Sequence, residues 1–192
     1  CVDAIVIAGQ MIGSLQTLVS RNVAPGDPAV LSLCSIHGGS AHNVICDEVV
    51  LRGTLRTVDP ATRERMKERI VTVAEGTAAL MGGSAAVEFL PGYCALRNHA
   101  AQVDRVAQTA RLLFGPDAFV APEGPPGMGV EDFAYFLEQA PGAYFGLGAQ
   151  PEGPAFPGHH PRYLPDERAL PYGAALFAAL ALSEMGLLED AE

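Results

Sequence analysis

The sequence predicts an α/β (α+β) fold in two parts. The first is a ferredoxin-like unit lacking its first strand, and the second is the closing part of an α/β domain. Three observations carry this. Patterning over the first half runs helix, strand, strand, helix, strand, which is a split β-α-β order with the opening strand missing. The second half alternates helices with a single short apolar strand, too few for a self-contained doubly wound sheet. The pattern changes between Cys94 and Asn98, so a boundary is expected there, with domains at 1–95 and 96–192.

The first element is a helix with the apolar stripe Val2, Ile5, Ile12, Leu15 and Val19. Asn22 to Pro28 is a turn cluster, and Ala29 to Ile36 a strand ending at the Gly38-Gly39 break. Glu48 to Val58 is the clearest strand, with Val49, Leu51 and Leu55 on one face and Arg52, Thr54 and Arg56 on the other. Asp59-Pro60 starts a helix, because Asp caps the free N–H groups and Pro suits the first helical position. Its stripe is Met66, Ile70, Val73, Thr77 and Leu80, and it stops at Gly82-Gly83. Ala86 to Leu90 reads as another strand.

Beyond the boundary, Ala100 to Phe114 is a helix directing Val103, Val106, Ala110 and Leu113 inward. A Pro/Gly-rich loop follows, Ala121 to Gly129, then a short helix, Glu131 to Gln139, and a short strand, Tyr144 to Leu147. Gly148 to Pro165 is a long loop with four prolines before Pro165. Loops of that length in compact domains are often functional. An Ala/Leu-rich helix, Glu167 to Met185, closes the pattern.

The net charge of −10 and the lack of a basic cluster argue against nucleic acid as a partner. No apolar run reaches the roughly 20 residues needed to span a bilayer, so no membrane partner is expected. Cys1, Cys34, Cys46 and Cys94 form no Cys-x-x-Cys pair, which argues against a structural zinc site; reduced thiols and a cytoplasmic location are expected. The start lacks an initiator Met and carries a helical pattern from its second residue, so a chain cut from something longer is expected.

Three segments carry candidate chemistry. The first is Phe156-Pro157-Gly158-His159-His160-Pro161-Arg162-Tyr163. A neutral imidazole is a common ligand for zinc and similar ions. A catalytic zinc needs about three protein ligands, however, and His37, His42 and His99 are not spaced to join it. From spacing alone, two idle loop residues are the better reading. The second segment, Gly127 to Phe133, places the acidic pair Glu131-Asp132 behind glycines at a helix start. Taken alone, that is an ordinary acidic first turn favoured by the helix dipole. The third, Ser35 to Ile45 with Arg56, combines a glycine turn, the amide of Asn43 and a guanidinium able to grip a carboxylate in bidentate fashion. A plain strand connection explains it equally well. No Gly-x-Ser-x-Gly nucleophile elbow or phosphate-binding Gly-Lys-Ser/Thr loop occurs.

Together these segments resemble one family. "SRNVAPGDPAVLSLCSIHGGSAHNVICDEVVLRGTLRTVDP" is similar to the lid, or dimerisation, domain of the metal-dependent amidohydrolases. These include hippurate hydrolases, N-acyl-amino-acid amidohydrolases, auxin-conjugate hydrolases and more distant aminoacylases and carboxypeptidases. "GMGVEDFAYFLEQAPGAYFGLG" and "HHPRYLPDERALPYGAALF" resemble closing segments of their catalytic domain. The resemblance implies a zinc-peptidase-like α/β domain with an inserted lid. Two divalent metals, zinc or manganese, serve the complete site. The substrate is a small N-acyl amino acid, the reaction is amide hydrolysis, and lids pair into a homodimer. By the same resemblance, His159 is a metal ligand in His-x-Pro. Asn43 and Arg56 meet the substrate, and Glu131 and Asp132 lie near the pocket.

The family's Cys-x-His segment, its Glu-Glu pair with the general base, a further His ligand and the first lid strand are not among these 192 residues. An inactive isolated chain is therefore expected, with no catalytic base of its own. Cys46 stands where the family pattern has Pro, and Val130 where Ser or Gly is usual. A looser turn after Asn43 and a crowded helix start are expected. The alternative is a non-catalytic dimerisation or assembly module; a small-molecule binding domain built on Asn43, Arg56 and the glycine turn is a third.

Overall fold

The computed structural model describes residues 1–187. The chain divides into two compact units. One comprises Cys1–Ala95 with Gly124–Val130; the other comprises Leu96–Glu123 and the chain from Glu131 onward.

In the first unit, α1 (Ala4–Asn22) is capped by Asp3, whose carboxylate accepts the N–H groups of Ile5 and Val6. Strands β1 (Ala29–Gly38) and β2 (Val49–Thr57) form an antiparallel pair. The register runs from Ala29 opposite Thr57 to Gly38 opposite Val49, with an irregularity between Leu33 and Ser35. Gly53 sits beside it, where a Cβ would lie 2.3 Å from the Ser32 carbonyl oxygen, so only glycine permits this close approach. Helix α2 (Pro60–Leu80) starts as the sequence predicts, with the Asp59 carboxylate accepting the Thr62 N–H at 2.8 Å. Both helices cover one face of the sheet. Leu15 and Leu18 of α1 meet Met66 and Ile70 of α2, with Leu31, Leu33 and Leu55 packed against them.

The helical stripes differ in detail from the sequence expectation. In α1 the buried residues are Ile7, Ala8, Leu15 and Leu18, while Val2 and Ile5 are exposed. In α2 they are Thr62, Met66, Ile70, Ala74 and Ala78, and Leu80 is 86% exposed. Four-residue steps fall slightly beyond one turn, so the small Ala74 and Ala78 continue the contact face that the larger Val73 and Leu80 suggested.

In the second unit, α3 (Ala100–Phe114) buries Val106, Ala107, Thr109 and Ala110; Leu113 is exposed rather than inward. Helix α4 spans Phe133–Gln139 and α5 spans Ala169–Glu184. α3 packs on α5, and Arg105 pairs with Glu184 between them. Phe114 meets Tyr172 edge-on at 5.1 Å, and Phe145 lies 5.5 Å from Phe177.

Two predicted strands do not form. Residues 86–90 and 144–147 belong to no ladder, and the sheet of the described residues contains β1 and β2 alone. Strand patterning marks a segment able to pair, but the ladder needs a neighbour to supply the other half of its hydrogen bonds. Among the described residues no helix is long and apolar enough to cross a membrane.

Candidate functional site

In the first unit, Asn43 lies in the turn between β1 and β2, exposed and without a side-chain hydrogen bond among the described residues. The turn is anchored rather than loosened at Cys46. This residue is buried, its thiol donates to the Glu48 carbonyl at 2.8 Å, and its own carbonyl accepts the Ala4 N–H at 3.1 Å. Arg56 is half-buried near the far end of β2, opposite Val30. It stands seven residues beyond Val49, which pairs at the turn, so about 23 Å of strand separates it from the segment bearing Asn43. The guanidinium Nη1 donates to the Met128 carbonyl at 2.6 Å. The sequence suggested no such partner.

In the second unit, Glu131 and Asp132 behave differently. The Glu131 carboxylate accepts the Phe133 N–H at 3.2 Å at the start of α4. That bond, followed by one from the Tyr144 hydroxyl, holds Glu131 below the usual carboxylate range. The same contact with Glu131 pushes Tyr144 above the usual phenol range. Asp132 is exposed and its side chain caps no helix N–H. Val130 is 58% exposed and does not crowd the helix start. Tyr144 is fixed in turn by Asn98, whose side-chain amide donates to the Tyr144 carbonyl and accepts its N–H, both at 2.8 Å. Beside it, His99 Nδ1 accepts the Gly142 N–H at 3.1 Å. Neither Asn98 nor Tyr144 stood out in the sequence. The only available signal was an Asn two residues before a helix start.

His159 is the one non-glycine residue with positive φ among those described, at 66°. Such a conformation is uncommon and persists when its surroundings determine it. The residues around it are held by contacts of their own. Phe156 stacks on the His160 ring at 4.5 Å, and the Arg162 guanidinium lies over the Phe156 ring at 4.4 Å. His160 Nδ1 accepts the Arg162 N–H at 3.1 Å, and the His160 N–H donates to the Pro157 carbonyl at 3.1 Å. His160 is therefore occupied as a strut, and His159 is the exposed imidazole. The base of this loop is tied by the Asp166 N–H to the Ala149 carbonyl at 2.8 Å, and by Arg168 to Asp166 and Glu152. Those bonds from Arg168 hold the Asp166 carboxyl below its usual range.

One donor does not make a metal centre. Among the described residues no three His, Cys, Asp or Glu side chains are grouped so as to hold an ion. These residues alone do not fit a metal; His159 is a single exposed imidazole. A groove of about 830 Å³ in this unit, lined by Val106, Phe114, Phe119, Leu147 and Leu176 among others, contains none of Glu131, Asp132 and His159.

Residues 7–183 match peptidase family M20/M25/M40. The chain belongs to this family. A putative amidohydrolase, YhaA, of Bacillus subtilis (strain 168) is 36% identical over 94% of this chain and 46% of its own length. An IAA-amino acid hydrolase ILR1-like 2 of Arabidopsis thaliana is also 36% identical, over 94% of this chain and 42% of its own. Among solved structures, a putative aminohydrolase from methicillin-resistant Staphylococcus aureus superposes with a TM-score of 0.81 at 30% identity, covering 97% of this chain and 47% of that one. The Bacillus subtilis YXEP protein, described as a dinuclear metal-binding peptidase, gives 0.75 at 31% identity, covering 97% and 48%. The chain thus spans about half the length of the relatives it matches.

Proposed function

We propose that this M20 chain is part of a metal-dependent amidohydrolase that cleaves N-acyl amino acids at the amide bond. What supports this reading above all is the His159 turn: an exposed imidazole on a left-handed backbone, flanked by the Phe156–His160–Arg162 stack, within a chain matching amidohydrolases along nearly its whole length. In this reading His159 supplies one ligand to a pair of zinc or manganese ions. The other ligands come from polypeptide that the relatives carry outside the matched portion. Residues 1–95 act as the lid and 96–192 as the closing part of the catalytic domain. Asn43 and Arg56 meet the substrate; about 23 Å of strand lies between them in one chain, so in this reading one of the two reaches it across the paired lids. Glu131, fixed by Tyr144, borders the pocket with Asp132. Each strand of the lid sheet keeps one edge unpaired by the other strand. That suits pairing with a second lid into a homodimer, and the compartment is the cytoplasm.

The test is hydrolysis of N-benzoylglycine with added manganese or zinc, by this chain and by the protein extended to the length of its relatives. The extended protein is expected to turn over and His159→Ala to abolish turnover. The isolated chain is expected to show negligible hydrolysis. An extended protein as active with His159→Ala as without it would overturn the assignment. The grouping of fewer than three metal donors among the described residues favours a second reading, a non-catalytic assembly module. Stoichiometric, tight binding of two zinc ions by this chain in a calorimetric titration would remove that reading.

A further inference from the structure

The segment Gly124–Val130 is fastened at one point. Its residues are exposed except Met128, which is half-buried. Its one hydrogen bond to the rest of the molecule, among the described residues, is the 2.6 Å bond from Arg56 Nη1 to the Met128 carbonyl. On either side of Met128, a Cβ added to Gly127 or Gly129 would meet nothing within 4 Å, so neither flank is packed. A guanidinium has five N–H donors, and the carbonyl engages one nitrogen. No carboxylate of the described residues pairs with Arg56.

We propose that Arg56 is a latch: it holds the strap Gly124–Val130 against β2 in the free protein, and a ligand carboxylate releases the strap by taking over the guanidinium. This rests on the reading that Arg56 receives the carboxylate of an N-acyl amino acid. The chemistry favours the exchange. The bond to the Met128 carbonyl already has a charged donor, but a carboxylate adds a charged acceptor and takes two parallel N–H bonds from arginine where the carbonyl takes one. Against it works the tethering of Met128, which gives the carbonyl an effective concentration of order millimolar. The two acceptors therefore compete, and the ligand's apparent affinity is reduced by the fraction of molecules in which the latch is closed. No bond is made or broken covalently. The output is an ordered strap without ligand and a loosened one with it.

The test is backbone ¹⁵N relaxation of Gly127, Met128 and Gly129 in the full chain, free, with N-acetylglycine and with N-acetylglycinamide. Calorimetric titration of both compounds runs in parallel. The expected result is an ordered Met128 amide in the free protein, loosened by N-acetylglycine and unaffected by the amide, which lacks the carboxylate. Arg56→Ala is expected to loosen Met128 without ligand and to abolish binding, with Arg56→Lys intermediate in both. Unchanged Met128 relaxation in Arg56→Ala overturns the latch. A loosened strap in Arg56→Ala with no binding of N-acetylglycine to the wild type leaves the latch but removes the carboxylate at Arg56, and with it the exchange. Arg56-dependent binding that leaves Met128 ordered keeps the ligand reading and overturns release. A strap lengthened with Gly/Ser residues after Gly127 keeps Arg56 in place and guards against misfolding of the Arg56 variants. It is expected to bind N-acetylglycine several-fold more tightly, and equal or weaker binding counts against the latch.

Discussion

The two units solve the problem of burying apolar side chains differently. The first has two helices, a hydrogen-bonded strand pair and a core in which Leu18 and Met66 are almost wholly enclosed. The second has three helices, no ladder among its described residues, and alanine at half of its buried positions. Large side chains stand exposed in both units, Leu80 at 86% in the first and Val120 at 82% in the second, but among the described residues only the first unit encloses a large side chain completely. The lesson is that apolar content and enclosure are separate quantities. The first unit closes a core with its own chain, whereas the second presents apolar surface of the kind that partners or further chain normally cover.

This contrast is open to attack by experiment. The largest expected effect is that of Met66→Ala, which removes a fully enclosed side chain and leaves a cavity, costing about 2–5 kcal/mol in urea unfolding. Leu176→Ala, which lines the open groove of the second unit, is expected to cost clearly less, because no closed cavity results. Equal losses would erase the contrast. Next, Asp59→Ala removes the cap of α2 and is expected to cost about 1 kcal/mol, measured the same way.

Acid should sharpen the difference. Glu131 and Asp166, the carboxylates held low by their hydrogen bonds, both belong to the second unit. A carboxylate whose folded pKa is depressed contributes in full above its ordinary unfolded value, and the contribution is lost as pH falls through the lower folded value. Lowering the pH from about 5 to 2.5 should therefore disturb the amides of Phe133 and Arg168 before the methyl groups of Leu18 and Met66, followed by NMR. Simultaneous loss would count against the assignment. At the other extreme, Tyr144 is raised, so its bond to Glu131 should persist above the ordinary phenol pKa and be lost as pH climbs through the higher folded value. The smallest effect is expected for Arg105→Ala at the exposed pair with Glu184, about 0–1 kcal/mol.

Much of the fold was legible. The helix start at Asp59 follows from local capping chemistry and β2 from its alternation, whereas the cap at Asp3 shortened a helix read from the second residue. The strands at 86–90 and 144–147 were misread because pairing depends on a neighbour that local patterning does not reveal. The core stripes drifted where small residues replaced large ones, since burial of alanine leaves little hydrophobic signal. The candidate residues were visible as types, but their tethers were not. The Arg56–Met128 bond joins positions 72 residues apart, and Asn98–Tyr144 joins positions 46 apart. Contacts at such separation arise from the fold and leave no spacing in the chain. The stack around His159, by contrast, lies within Phe156–Arg162, and a Phe-x-x-x-His-x-Arg reading would have found it.

The knot at the base of the long loop has an evolutionary reading. Because Asp166 bonds Ala149, and Arg168 grips both Asp166 and Glu152, the loop leaves and rejoins the scaffold at one place. Doubling the length of such an excursion adds only about 0.6 kcal/mol of closure entropy. Insertions between this base and the Phe156–Arg162 stack would therefore cost the scaffold little, while the stack carries His159 as a self-contained unit.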